Sequence, residues 1–213
     1  MSDISFTVLD ARVEPYAAVP TLVFRLRAEA SDGEPIHTIA LRCQIRIEPQ
    51  RRRHGADEET RLEELFGTRA RWGDTVKPFL WTHVSTMAPG FTGAGEFDLP
   101  VPCTYDFEVA AAKYLHALED GEIPLLLLFS GTIFAKGEGG MRVTQVPWDR
   151  EARWRLPVAT WRALMNVYWP NGGWLRLRRD TLDLLLRLKA RHAVASFDDL
   201  IAALVRGAGE DAA

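Results

Sequence analysis

Cysteine is scarce: Cys43 and Cys103 are the only two in 213 residues, far apart and with no CxxC pair. That excludes a disulfide framework and points to a reducing compartment, so a cytoplasmic location is expected. Long apolar runs are also missing. The longest, Ile123 to Phe129, falls well short of the roughly 18 residues that a membrane-crossing helix needs. The opening MSDISFTVLD is acidic and alternates apolar with polar residues, unlike a secretory signal. The histidines never fall at HxxxH or HxH spacing. GxSxG, GKS and GKT are all absent, which removes the nucleophile elbow and the Walker loop as motifs. No cofactor, no metal site and no catalytic residue is therefore assigned.

What is present is the composition of a globular protein, 47% hydrophobic and 26% charged. The length suffices for one domain with a core, with or without a small appendage. The net charge of −3 hides an asymmetry. Residues 1–140 carry 14 Lys and Arg against 21 Asp and Glu, net −7, while residues 141–192 carry 11 against 4, net +7. The tail, 193–213, has one against four, net −3. A basic segment in an acidic protein either folds back on the acidic body or meets an anionic partner. The first is the simpler reading, and a nucleic-acid partner is not expected.

Ile39, Leu41, Cys43, Ile45 and Ile47 alternate with polar or small residues, a period of two that predicts a strand with one buried face. Cys43 lies on that face and reads as core. Leu22, Phe24, Leu26 and Ala28 alternate in the same way, and the turn-forming Ser31-Asp32-Gly33-Glu34-Pro35 between the two predicts an antiparallel hairpin. Further strands are expected around Ile4–Val8, over Leu80–Met87 with Leu80, Thr82, Val84 and Thr86 on one face, over 123–135, and over Met141–Trp148. Residues 56–66 predict a short helix that stops at Gly67. Before it, Arg51-Arg52-Arg53-His54 reads as a solvated loop rather than a phosphate site, and Glu58, Glu59, Glu63 and Glu64 as a solvated helix face. Gly90, Gly93 and Gly95 read as a plain loop, because no helix N-terminus follows them.

Residues 105–119 fit two templates. Phe107, Ala110, Ala111, Tyr114, Leu115 and Leu118 form a helical stripe, yet Tyr105, Phe107 and Val109 also alternate ahead of Asp120-Gly121. The alanine run favours helix, and strand stays open. From Pro157 onward the pattern is helical: Trp161, Leu164, Met165 and Tyr168 line one face, Asp180 or Thr181 caps a second helix, and Ser196 with Asp199 caps a third that stops at Gly207. Cys103 is expected to be the more exposed thiol and the better candidate for reactivity. With His83 and His116 it would make a catalytic-type trio if the three met in space, which spacing alone does not decide.

Tryptophan is dense near the C-terminal third, and arginines are interleaved with it. Trp, Tyr and Arg dominate binding hot spots. Trp161 and Tyr168 belong to the helix face. Trp169 and Trp174 flank Pro170-Asn171-Gly172-Gly173, and Arg176, Arg178 and Arg179 follow at once. Trp169, Trp174, Arg176, Arg178 and Arg179 are the candidate partner-binding residues.

Two resemblances bear on function. YWPNGGWLRLRRDTLDLLLRLKARHAVASFDDLIAALV, with CTYDFEVAAAKYLHALEDGEIPLLLLFSGTIF, resembles a bacterial, mainly actinobacterial, family of unknown function. Its members are encoded near accessory genes of nickel-iron hydrogenases. The resemblance implies a role in hydrogenase maturation or assembly, with a hydrogenase subunit or maturation factor as partner, and carries no catalytic residue. A looser, organisational likeness to the export chaperone SecB rests on Cys103, Tyr105, Gly121, Pro124 and Phe134. It implies a holdase that forms oligomers, and departs from this chain in the arginine-rich insertion and the large helical C-terminal part.

The expected protein is therefore α+β: an antiparallel sheet or sandwich over 1–148 with helices near 57–67 and 106–119, and a helical region over 149–213 packed on it. It is expected to be a non-enzymatic, protein-binding factor. A SecB-like holdase and an uncharacterised enzyme or metal protein are the alternatives.

Overall fold

Ile39, Leu41, Cys43, Ile45 and Ile47 all turn inward from one strand, and the polar residues between them face out. The computed structural model that shows this describes every residue except 1–3, 32, 104, 105, 107, 108, 138, 139, 171, 173, 174 and 211–213. Two compact units are present, Met1–Gly173 and Trp174–Ala213.

Among its described residues the first unit holds eight strands in two antiparallel sheets. In one, β1 (Ile4–Glu14) pairs with β2 (Thr21–Ala30), and β2 with β5 (Ala94–Pro102). In the other, β3 (Ile36–Ile47) lies between β4 (Phe79–Ala88) and β6 (Glu122–Gly137). The far edge of β6 pairs with two strands in turn: β8 (Glu151–Pro157) along its first half and β7 (Gly140–Gln145) along its second. Leu22, Phe24 and Leu26 of one sheet and Leu41, Cys43 and Leu127 of the other belong to one buried core, and Phe6 stacks on Phe129 across it at 4.6 Å. The fold is α+β.

Three expectations need correction here. First, β2 and β3 are not a hairpin: they lie in different sheets. Period two shows only that a strand has one buried face, and both inner faces of a sandwich have that pattern. The five residues between them are enough chain to cross the roughly 10 Å between packed sheets. Second, Leu80 does not share a face with Thr82 and Val84. The register of β4 shifts against Ile45 and Arg46 at Trp81, so Phe79 and Trp81 pack on the core while Leu80 is exposed. Third, the stretch before Pro157 holds strand β8, which turns Ala152, Trp154 and Leu156 inward.

Helices cover the sandwich. α1 (Ala56–Phe66) ends at Gly67, whose φ of 75° suits the helix stop there. A four-residue helix, α2 (Trp72–Thr75), follows. The ambiguous segment is helical over Ala110–Ala117, α3, and Tyr114 and Leu115 are buried. Its Tyr105 and Phe107 lie outside the described residues. Its N-cap is Val109. α4 (Val158–Tyr168) uses Pro157 as its cap, buries Trp161, and ends where the Tyr168 hydroxyl donates to the carbonyls of Glu14 and Ala17 at 3.1 and 2.7 Å.

Among its described residues the second unit holds two helices, α5 (Arg179–Arg191) and α6 (Phe197–Glu210). The cap of α5 is Arg178, so neither Asp180 nor Thr181 caps it; Asp180 sits in the first turn, where its carboxylate suits the helix dipole. Ala193, at φ 51°, turns the chain. Ser196 then receives the Asp199 amide at 3.0 Å and donates to its carboxylate at 2.5 Å, which starts α6. α6 continues past Gly207, which interrupts nothing. No helix among the described residues is long and apolar enough to cross a membrane.

Candidate functional site

The expected partner residues divide between the two units. Trp169 ends α4, is half-buried, and packs on the core with its ring 6.1 Å from that of Tyr168. Trp174 lies outside the described residues. Arg176, Arg178 and Arg179 are exposed, and Arg178 approaches only Asp180, at 3.6 Å. Beyond them α5 buries none of its residues: Leu182, Leu184 and Leu186 remain 40%, 63% and 47% exposed. On α6, Ile201, Leu204 and Val205 are 40%, 45% and 66% exposed. The sequence shows these residues as amphipathic faces, but not that the faces are left open.

The cysteine expectations part ways. Cys43 is buried as expected, and burial pushes its thiol up to about 12. Cys103 is not the exposed thiol: it too is buried, donates to the Val101 carbonyl at 3.3 Å, and is pushed up to about 12 by burial. Both are kept as inert thiols. Pro20 explains the second position, since its carbonyl receives the Cys103 amide and ties the segment down. His83 is exposed on β4, while His116 lies on α3, its pKa lowered by burial and by Arg61 and Arg162. Among the described residues no three His, Cys, Asp or Glu side chains cluster as metal ligands, so the trio does not form one.

The expectation of a solvated RRRH loop does not hold for Arg52 and His54. The Arg52 side chain is 8% exposed, and its Nη2 lies 2.8 Å from both oxygens of Glu58, itself 3% exposed. Glu58 also accepts from the amides of Gly55 at 3.2 Å and Glu119 at 2.8 Å. One carboxylate therefore holds the start of α1, the RRRH loop and the chain after α3 together. His54 Nε2 and the Tyr114 hydroxyl are 3.1 Å apart, and the His54 ring packs edge-on against Trp72.

Burial holds the His54 pKa down to about 4, with Arg52 and Arg69 adding to the effect and Glu58 opposing it. The unfolded imidazole titrates near 6.5. Between those values the unfolded chain carries the extra proton, so stability present above pH 6.5 is lost as the pH falls toward 4. Allowing for partial exposure, about 1–2 kcal/mol depends on this group. Denaturation midpoints of His54→Gln should fall less steeply than wild type between those pH values.

Two of the open depressions on the first unit carry charged side chains that bear on function. The larger, about 820 Å³, runs between β4 and the outer face of β2 and β5. Two of its charged groups pair with each other, Arg12 with Asp98 at 2.7 Å, and Asp98 also meets Arg25 at 3.1 Å. Hydrogen bonding from Arg12 holds the Asp98 pKa below the usual carboxylate value. The second, about 690 Å³, opens beside His54 and Trp72 and is lined by cations.

A family model described as "Family of unknown function (DUF6084)" matches residues 1–213. The chain belongs to DUF6084. No curated protein matches it. Among solved structures, a protein assigned to the late embryogenesis abundant (LEA) group shares 14% identity at a TM-score of 0.33, covering 73% of the DUF6084 chain and 72% of its own. The CARDB domain of a Pyrococcus furiosus protein shares 8% at 0.27, covering 73% and 87%. At these scores neither carries an argument about the DUF6084 protein.

Proposed function

We propose that this DUF6084 chain is a protein-binding factor and that its docking element is the helical unit Trp174–Ala213. The observation that carries the reading is the set of large apolar side chains that α5 and α6 leave exposed. Leaving many large apolar side chains in water is unfavourable, and exposed apolar patches mark docking surfaces. An amphipathic helix laid into a groove is a recurring way to do so. Arg176, Arg178 and Arg179 stand at the head of α5, where guanidinium groups suit a polar rim and carboxylates on the partner. The partner therefore has an apolar groove with an acidic border. That it is a hydrogenase subunit or maturation factor rests on the sequence resemblance alone.

The test is capture from an extract of the native host with the full-length protein as bait. Wild type should enrich a defined partner that Leu184→Glu loses about tenfold, equivalent to about 1.4 kcal/mol or more. Charge reversal at Arg176, Arg178 and Arg179 should weaken the same capture and make it less dependent on salt. Hydrogenase components in that fraction would support the hydrogenase setting, and a different partner would remove it. Identical captured sets for wild type and Leu184→Glu would refute the docking element.

A further inference from the structure

The RRRH motif ends in a second possible site. Arg53, His54, Arg69, Trp72 and Lys77 line the 690 Å³ depression. No carboxylate lines it. Two of its cations are committed: Arg52 to Glu58, and Arg69 to Glu59 at 3.0 Å, with the Arg69 guanidinium 4.7 Å over the Trp72 ring. Arg53 and Lys77 are exposed and, among the described residues, neither has a carboxylate partner. Lys77 donates only to the Gly73 carbonyl, at 3.1 Å. Two cations therefore line one depression without a counter-charge.

The walls are also fixed. Trp72 is buried, with its indole N–H on the Gly67 carbonyl at 2.8 Å, and Arg52 is held from within. Binding there would cost little reorganisation. Two uncompensated positive charges complement a dianion, and an Arg fork beside a Lys point charge suits tetrahedral oxyanions. The volume exceeds what one phosphate fills and falls in the range of small-molecule sites, and Pro49, Val76 and Pro78 add an apolar wall. We propose that this depression binds a small phosphate monoester, with Arg53 and Lys77 holding the phosphate and the apolar wall taking the organic part.

Calorimetric titration of the full chain with phenyl phosphate, inorganic phosphate and phenol tests this. Phenyl phosphate should saturate with a millimolar or tighter Kd, about tenfold tighter than inorganic phosphate, and phenol should not bind. Arg53→Gln/Lys77→Gln should weaken phenyl phosphate at least about tenfold, while its ligand-free melting temperature stays that of wild type. Arg42→Gln/Lys136→Gln, exposed and outside the depression, should leave the binding unchanged. No saturation by about 50 mM, or equal affinity in the Arg53/Lys77 variant, would overturn the site. Equal affinity for phosphate and phenyl phosphate would overturn the monoester. None of these outcomes depends on the docking element.

Discussion

Glu58→Ala should destabilise the protein by about 3–5 kcal/mol, the range found when one partner of a buried ion pair is removed. Four hydrogen bonds converge on that carboxylate, two from Arg52 and one each from the amides of Gly55 and Glu119. Its removal leaves a guanidinium that is 8% exposed without a counter-charge, because the other Arg52 contacts are the carbonyls of Arg53, Asp120 and Glu122. At this chain length the loss lowers the melting temperature by roughly 10 °C. Glu58→Gln keeps the shape and part of the bonding and should cost less than half as much. In a double-mutant cycle, Arg52→Ala should cost little more once Glu58 is already Ala. Urea denaturation of the four proteins measures all of this. A change below about 1 kcal/mol for Glu58→Ala would mean that the pair is solvated after all.

Gly131→Ala should cost about 2–4 kcal/mol for a different reason. Gly131 has a φ of 146°, and a Cβ there would stand 2.1 Å from the Ala40 carbonyl oxygen on β3. The Cβ is fixed to the β6 backbone and meets backbone of the paired β3, so relief requires opening the β3–β6 ladder. Gly131 sits where the outer partner of β6 changes from β8 to β7, and its carbonyl receives the Val146 amide at 2.9 Å. Gly73→Ala is the control. Its Cβ meets nothing within 4 Å, so denaturation should shift by no more than about 0.5 kcal/mol.

Much of the fold was legible because it is written in local periodicity. β3 and α1 follow directly from their apolar spacing, and Gly67 marks the helix end. The strand β8 also carried its signal: Ala152, Trp154 and Leu156 alternate with Glu151, Arg153 and Arg155. Its tryptophan and arginines are also the residue types of binding surfaces, so the pattern fits two roles. Which strands pair was not legible, since a buried face does not name the neighbour across the core. Nor was the role of Glu58, whose burial depends on an arginine six residues away and an amide at position 119. The same holds for Gly131, whose constraint comes from the distant Ala40 carbonyl. Of the candidate site, Arg176, Arg178 and Arg179 are exposed, and Trp169 is partly committed to the core.

The docking unit can be tested in living host cells with a photoreactive residue placed at Leu184, and separately at the exposed Thr7 of β1. The account predicts one discrete adduct with a different protein from position 184 and none from position 7. No adduct at 184, an adduct with only a second copy of this chain, or the same adduct from position 7 would contradict it.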